Sequence, residues 1–329
     1  MAIPALPELT ETAIIVTRPL PNLQQSESLA RAILCMVCAV SLFSCLDTVA
    51  KLLVDNENLP VEQVTWVRFF VQFLLLLILV PATKTHTLQQ LWVTNRLLLQ
   101  LLRSVLMALT TLFNFLAIEH LRLDQTITIM FLAPVVVALI AGPVLGEWIG
   151  WRRLLAVMVG FVGVVVAVNP AGDDSFNPAV WYSFAAMAAL AWFMLVTRQV
   201  APYDPPLITL FYSMFAGVAL GWPFAIAVWE WPQEAWHWLA LLSLGVFGGA
   251  GHFMFILAYR AASASKISPF VYLQVPTMAL LGFLVFDDQP TVHTAVGAAI
   301  IIASGIYLMH HERQRETTAT ASKSAIDVR

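Results

Sequence analysis

Residues 123–147, LDQTITIMFLAPVVVALIAGPVLGE, begin with a polar segment, continue as an apolar run interrupted by Pro134 and end at Glu147. A similar pattern returns at residues 262–288, ASASKISPFVYLQVPTMALLGFLVFDD, where Pro276 takes the place of Pro134. Proline lacks an N–H and clashes with the preceding turn, so we expect a helix break at each of these prolines. Both segments are long enough to cross a bilayer. A broken membrane-spanning helix in each half of a chain is typical of transporter substrate sites.

The composition is that of an integral membrane protein, because 60% of the 329 residues are hydrophobic and only 11% are charged. The mean hydropathy is +0.80. Apolar stretches of about 20 residues, the length of a membrane-spanning helix, recur along the chain. They predict an all-α integral membrane protein with ten transmembrane helices, at about 30–54, 62–81, 96–118, 124–145, 152–169, 178–199, 205–229, 235–258, 264–286 and 291–310.

The ten stretches divide into two groups of five. Because five is an odd number, the two halves would cross the membrane in opposite directions, as two inverted five-helix repeats. The predicted organisation is a disordered cytoplasmic tail, a first repeat, a second repeat and a cytoplasmic tail, at residues 1–29, 30–169, 178–310 and 311–329.

The placement of lysine and arginine predicts the orientation, since these residues concentrate in cytoplasmic loops. With the N-terminus in the cytoplasm, the outer loops contain Arg122 as their one basic residue, and they are otherwise acidic. We therefore predict an inner (plasma) membrane location with both termini in the cytoplasm. Without a basic cluster, the chain is not expected to bind nucleic acid.

Short motifs occur in the same order in both halves of the chain. The first set is FLAI (115–118), FLAP (131–134) and LGE (145–147), and a weaker second set is FILAYRAA (255–262) and FDD (286–288). Ser44, Asp47 and Lys51 form an SxxDxxxK pattern, and WVRF follows at 66–69. Over about residues 30–310 the chain resembles the two EamA-type repeats of the drug/metabolite transporter superfamily. The resemblance implies export of amino acids or other metabolites, or import of nucleotide-like or vitamin-like compounds such as S-adenosylmethionine or riboflavin. Asp287 and Asp288 stand where the family has Gly-Glu.

Charged side chains are predicted inside the first three helices, where a charge is unfavourable and usually faces a cavity or a partner. Asp47 and Lys51 lie four residues apart on one helical face, either in a cavity or as an internal salt bridge. Arg68 either joins them or extends to the outer headgroups, and Arg103 either faces the interior or extends to the inner ones. Asn114 shares a polar stripe with Arg103, which favours a water-filled path. We predict that these five residues line a substrate cavity.

The second half supplies aromatic and titratable side chains: Trp192, Tyr212, His252, Tyr259 and Tyr272. The tyrosines and Trp192 either stack on a substrate ring or pack between helices. His252 either carries a proton, since histidine titrates near neutrality, or is hydrogen-bonded between helices. We predict that these five residues complete the cavity.

Together these features predict a secondary transporter that moves a small anionic or zwitterionic metabolite, amino-acid-like and with or without a ring, by alternating access. Lys51, Arg68 and Arg103 against Asp47 give the predicted cavity a net positive charge. The alternatives are an uptake carrier for a nucleotide-like or vitamin-like compound, and a lipid flippase. Asp47 and His252 make protons the candidate coupling ion.

An intramembrane enzyme is the competing class. The chain contains no HExxH, GxSxG or nucleotide-binding motif, which argues against an enzyme and against direct use of ATP. The three cysteines all fall in the first apolar stretch without a partner set typical of a redox or metal site, so we expect no cofactor and no metal. Since one chain contains both halves, a monomer or a homodimer is the predicted assembly.

Overall fold

The computed structural model describes residues 21–83, 87–133, 135–137, 140, 151–168, 177–200, 202–261, 268–304 and 306–307. All regular secondary structure in these residues is helical, as predicted. The helices are α1 (Pro21–Lys51), α2 (Val61–Thr83), α3 (Leu97–Ile118), α4 (Leu123–Met130), α5 (Trp151–Val168), α6 (Val180–Val200), α7 (Pro206–Ala227), α8 (Ala235–Ala261), α9 (Gln274–Phe286) and α10 (Val292–Ser304).

Six of these helices, α1, α2, α3, α6, α7 and α8, are long and apolar enough to cross a membrane. The others are shorter apolar helices, and each of them overlaps one of the predicted stretches. α1 begins at Pro21 and not at residue 30, so residues 21–29 of the predicted disordered tail are helical. The reason is that Gln24, Gln25 and Glu27 are good helix formers that extend an existing helix without a new nucleus. Residues 1–20 and 311–329 lie outside the described part.

Helices of the first half (α1–α5) pack mainly on helices of the second half (α6–α10). α1 lies against α8 and α9, α2 against α7 and α8, and α3 against α6 and α7, while α4 contacts α6 and α9. Glycines permit the closest approaches. A Cβ on Gly217 of α7 would overlap the Phe69 ring, and one on Gly245 of α8 would lie 2.5 Å from Val71. The bundle is therefore built across the two halves.

The first predicted helix break coincides with the end of α4. This helix stops at Met130, and Leu132 follows in a turn, with its N–H donating to the Ile129 carbonyl at 3.0 Å. A proline at 134 has no N–H to offer the Met130 carbonyl four residues earlier, which explains why regular helix ends there. Pro134 itself lies outside the described residues.

The second predicted break needs a correction. Pro276 lies in the first turn of α9, directly after a 3₁₀ turn formed by Ser268–Leu273. First-turn residues donate no intrahelical hydrogen bond, so a proline is tolerated there. Pro276 therefore marks the start of an α-helix and not a break inside one.

Polar contacts join the connections between helices at two ends of the bundle. At one end Glu57 pairs with His237 (3.0 Å), and Gln63 exchanges two hydrogen bonds with the backbone of Glu230 (2.8 and 2.9 Å). We term this the acidic end, after Glu57 and Glu230. At the other end Asp204, between α6 and α7, contacts the connection between α2 and α3. We term this the Asp204 end.

Candidate functional site: a buried polar cluster between the two halves

Asp47 of α1 faces the bundle interior and is only 8% exposed. Its Oδ1 accepts a hydrogen bond from Asn114 Nδ2 of α3 at 3.0 Å. Both side chains were predicted to line the cavity, and the structure brings them together although 67 positions separate them in the chain. Burying a carboxylate inside an apolar bundle is energetically unfavourable even when an amide donates a hydrogen bond to it. Asp47 is therefore a candidate functional group.

Arg68 of α2 joins this cluster. It is 5% exposed, its Nη1 donates to Thr111 Oγ1 on α3, and its guanidinium carbon lies 5.0 Å from the ring centroid of Phe69. Its charge interacts with that of Asp47 across the cluster. Arg68 therefore does not extend to the headgroups, and the alternative that placed it there is wrong.

Lys51 pairs with Asp55 and not with Asp47. Its Nζ donates to Asp55 Oδ2 at 2.9 Å and to the carbonyls of Ile118 and Leu121 at 3.0 and 3.1 Å. The salt bridge between Lys51 and Asp47, one of the two alternatives that the sequence left open, is therefore not formed, and Lys51 pairs with an acid one turn further on. The pair forms because α1 ends in a π-helical turn, Leu52–Asn56, and the end of α3 supplies acceptors beside it.

A cavity of about 480 Å³ opens beside Lys51 at the acidic end. It is lined by Asp55 and by the C-terminal end of α9, including Phe286 and Asp288. Lys51 lies 5.3 Å above the Phe286 ring centroid and thereby separates this cavity from Asp47, one helical turn deeper. Asp47, Asn114 and Arg68 do not line this cavity.

Arg103 of α3 faces the interior and does not extend to the headgroups. Its Nε donates to Thr197 Oγ1 at 2.7 Å, and its Nη1 donates to the Thr209 carbonyl at 2.8 Å and to Ser213 Oγ. Its guanidinium stacks over Phe193, 4.4 Å from the ring centroid. These partners belong to α6 and α7, so the hydrogen bonds of Arg103 link the first half of the chain to the second half.

Three buried polar atoms on one face of α2 have no hydrogen-bond partner among the described residues: Thr65 Oγ1, Arg68 Nε and Gln72 Oε1. They follow one another at helical spacing and lie beside α8. Thr65 and Gln72 were not among the residues predicted to line the cavity.

The predicted second-half residues occupy several environments. The Tyr212 hydroxyl donates to the Trp92 carbonyl (3.0 Å) towards the Asp204 end, and Tyr272 packs edge-on against Phe131 with ring centroids 5.1 Å apart. Both therefore have packing roles in this conformation. Trp192 is 42% exposed, so the structure does not place it in the buried cluster.

His252 of α8 is the second-half residue that meets the cluster. Its ring lies edge-on against Phe43 at 5.0 Å, and it is close enough to Arg68 and Arg103 to interact with their charges. The Tyr259 side chain lies outside the described part. Among the described residues, no group of three or more His, Cys, Asp or Glu side chains is arranged to hold a metal ion.

Sequence reasoning missed Asp204, which joins the two halves at the Asp204 end. It accepts hydrogen bonds from Thr94 Oγ1 (2.5 Å), Asn95 N (3.0 Å) and Gln100 Nε2 (2.9 Å). Burial alone raises the pKa of this carboxyl, but the hydrogen bonds outweigh burial and lower the pKa below its usual value. The available signal in the sequence was that Asp204 is an acid flanked by prolines, in a loop on the side of the membrane where basic residues concentrate.

We expect the stabilising effect of Asp204 to disappear only in acid. A carboxyl with a lowered folded-state pKa stabilises the fold above its unfolded pKa of about 3.9, and this contribution is lost as pH falls through the folded-state value. Asp204→Asn should therefore lower the melting temperature of detergent-purified protein at pH 7, and the difference from the parent should shrink below about pH 3.9. A difference of equal size on both sides of that pH would contradict an ionised Asp204.

The sequence also matches a known protein family. The profile of the EamA-like transporter family matches residues 30–169 and 177–309. The chain belongs to this family. The match confirms the resemblance to the drug/metabolite transporter superfamily, and with the six long apolar helices it makes this EamA-like chain a multi-pass membrane protein.

Curated relatives of this EamA-like chain are named as transporters of small molecules. A riboflavin transporter of Vibrio cholerae is 26% identical over 85% of this chain and 93% of its own length. An S-adenosylmethionine uptake transporter of Rickettsia prowazekii is 26% identical over 77% and 84%. A pseudopaline exporter of Pseudomonas aeruginosa is 23% identical over 63% and 73%.

A solved structure supports the fold of the EamA-like chain. A crystal structure matches 85% of this chain and 96% of its own with a TM-score of 0.58 at 15% sequence identity. At that identity the likeness concerns the fold alone.

Proposed function

We propose that this EamA-like protein is a secondary transporter for a small ring-bearing metabolite, working by alternating access between two inverted five-helix repeats. The observation that carries the proposal is the buried cluster of Asp47, Asn114, Arg68 and Thr111 inside an apolar bundle. Ionisable groups in the interior of a membrane bundle mark solute pathways or relays.

The pattern of helix contacts supports the inverted repeat. In an inverted repeat, each helix of the first half corresponds to the helix five positions later in the chain. Under this correspondence the α1–α8 contact is equivalent to α6–α3, the α2–α8 contact to α7–α3, and the α1–α9 contact to α6–α4. All of these pairs are in contact. The α2–α7 and α4–α9 pairs are exchanged into themselves. Such a pattern is what a two-fold axis between two five-helix units would produce.

The charge partners leave less net positive charge in the cluster than the sequence predicted, although they do not exclude an anionic or zwitterionic substrate. Lys51 is paired with Asp55, Arg68 interacts with Asp47, and Arg103 is held by α6 and α7. The cluster therefore keeps one uncompensated positive charge, that of Arg103, whose partners on α6 and α7 are neutral. Riboflavin and S-adenosylmethionine, named for two relatives, both contain a nitrogen heterocycle, so we favour uptake of a vitamin-like or nucleotide-like compound over an amino-acid-like anion.

The same contacts support a conformation open towards the acidic end. The cavity of about 480 Å³ lies there, whereas hydrogen bonds accepted by Asp204 and donated by Arg103 close the Asp204 end. Alternating access then requires the Asp204 contacts to separate while the Lys51–Asp55 region closes over the cluster. The concentration of basic loop residues favours the Asp204 end as the cytoplasmic side of an inner membrane.

Uptake of radiolabelled riboflavin and S-adenosylmethionine into proteoliposomes tests the proposal. We expect saturable uptake of one probe, absent from protein-free vesicles. Asn114→Ala should reduce it about tenfold, because Asp47 loses its hydrogen bond. Asn177→Ala, in a loop where Asn177 donates to the His120 carbonyl, is the matched control and should retain uptake.

Uptake of neither probe by correctly inserted protein would contradict the proposal and favour export of an amino-acid-like metabolite. In the same vesicles, an imposed pH gradient tests proton coupling through Asp47 and His252. Uptake that ignores the gradient removes that part of the proposal.

A further inference from the structure

α2 presents a donor and an acceptor that the described protein groups do not use. Arg68 Nε and Gln72 Oε1 lie on one helical face, and neither atom has a hydrogen-bond partner among the described residues. Arg68 is 5% exposed and Gln72 is 2% exposed. Unpaired polar atoms at this depth are unfavourable, so each of them in a native protein requires a reason.

The two atoms converge on one point of α8. A Cβ on Gly248 would lie 2.9 Å from Gln72 Oε1 and 3.6 Å from Arg68 Nε. The bond from Arg68 Nη1 to Thr111 holds the guanidinium in this orientation. Because α8 belongs to the second half, its withdrawal from α2 during the transport cycle would expose the donor and the acceptor together.

We propose that Arg68 Nε–H and Gln72 Oε1 form a recognition subsite that binds one edge of the substrate ring, an inference that rests on the proposed transport function. The edge must have an acceptor next to a donor, as in an imide, a lactam or an amidine. Riboflavin offers a ring carbonyl beside an N–H, and adenine offers a ring nitrogen beside an amino group. A carboxylate has two acceptors and no donor, so it would leave Gln72 unpaired. The subsite therefore selects nitrogen heterocycles over simple carboxylates.

Gln72→Met tests the acceptor, because methionine keeps the length of the side chain and removes the amide. We expect uptake of the transported probe to fall about tenfold, the effect of one lost hydrogen bond. The melting temperature should stay the same or rise, since Gln72 Oε1 bonds no described protein group. If Gln72 only supported the fold, the melting temperature would fall while uptake per folded molecule stayed at the parent value.

Gly248→Ala tests the point of convergence, because its methyl group would occupy the space between the two atoms. We expect uptake to fall as for Gln72→Met. Gly249→Ala is the matched control: its Cβ would meet Gln72 Cγ at 3.6 Å, an ordinary contact, and uptake should stay at the parent level. Equal uptake by Gly248→Ala and Gly249→Ala would overturn the subsite.

Substrate analogues test the parent protein without any variant. Riboflavin methylated on its ring N–H (N3), or S-adenosylmethionine dimethylated on the adenine amino group, lacks the donor for Gln72. We expect the parent to take up the analogue about tenfold more slowly than the probe, and Gln72→Met not to distinguish them. Equal uptake of both by the parent overturns the subsite alone. If the parent takes up neither unmodified probe, the proposed function fails and the subsite fails with it.

Discussion

Arg68→Gln is expected to abolish uptake and to destabilise the protein, whereas adding Asp47→Asn restores stability without restoring uptake. Removing the arginine leaves the buried Asp47 carboxylate with the hydrogen bond from Asn114 and no positive charge beside it, a change that costs about 1–3 kcal/mol. Asp47→Asn alone leaves the buried Arg68 guanidinium without the negative charge of Asp47. With both changes no charge remains to be compensated, so the fold recovers.

Transport should not recover, because in our proposal the charged and polar atoms of this cluster contact the solute. Melting temperature in detergent and uptake in proteoliposomes, measured for the two single variants and the double variant, separate the two effects. Arg96→Gln is the control: Arg96 is exposed, its guanidinium carbon lies 4.3 Å from the Tyr203 ring centroid, and loss of such an exposed contact costs about 0.5–1 kcal/mol. Full uptake by Arg68→Gln would exclude Arg68 from the substrate site.

The second large effect is expected on stability, from Gly297→Ala in α10. A Cβ at this position would lie 2.5 Å from the Gly163 carbonyl oxygen and 2.6 Å from the Ala167 backbone nitrogen, both in α5. These are backbone atoms, so the clash cannot be relieved by a side-chain rotation, and the two helices must separate. We expect a loss of about 1–3 kcal/mol, as for other overpacked interiors.

Gly282→Ala in α9 is the matched control, since its Cβ would meet Asp288 Cβ at 3.8 Å. Alanine is a better helix former than glycine, so this change should be neutral or stabilising by up to about 1 kcal/mol. Thermal unfolding of both variants in one detergent provides the comparison. Equal melting temperatures for Gly297→Ala and the parent would show that α5 and α10 do not pack through these glycines.

The charged residues illustrate how far sequence reasoning reaches. An ionisable group in an apolar helix usually faces the interior, which favoured buried positions for Asp47 and Lys51 without coordinates. For Arg68 and Arg103 the sequence left burial and extension to the headgroups as alternatives, and the structure decided for burial. The partners of these four residues could not be predicted. Lys51 has an acid one turn before it and another one turn after it, and spacing alone cannot choose between Asp47 and Asp55.

The aromatic residues show the same limit. Tyr212 and Tyr272 were predicted to line the cavity, but the Tyr212 hydroxyl bonds the Trp92 carbonyl and Tyr272 packs on Phe131. Tyrosine combines an apolar body with a polar tip, so its sequence position fits a substrate site and a packing site equally well. The acceptor that decides between them comes from another part of the chain.

By itself the sequence determined that this protein is a helical membrane protein of the EamA-like family. The reason is that the length of the apolar stretches and the placement of charged residues are local properties of the chain, and these properties govern insertion into a bilayer. Only the tertiary structure decided which polar groups meet. Thr111 lies 43 positions from Arg68, and Asn95 lies 109 positions from Asp204. Contacts over such separations depend on how helices of the two halves pack, and this packing is set by the whole bundle and not by any one segment.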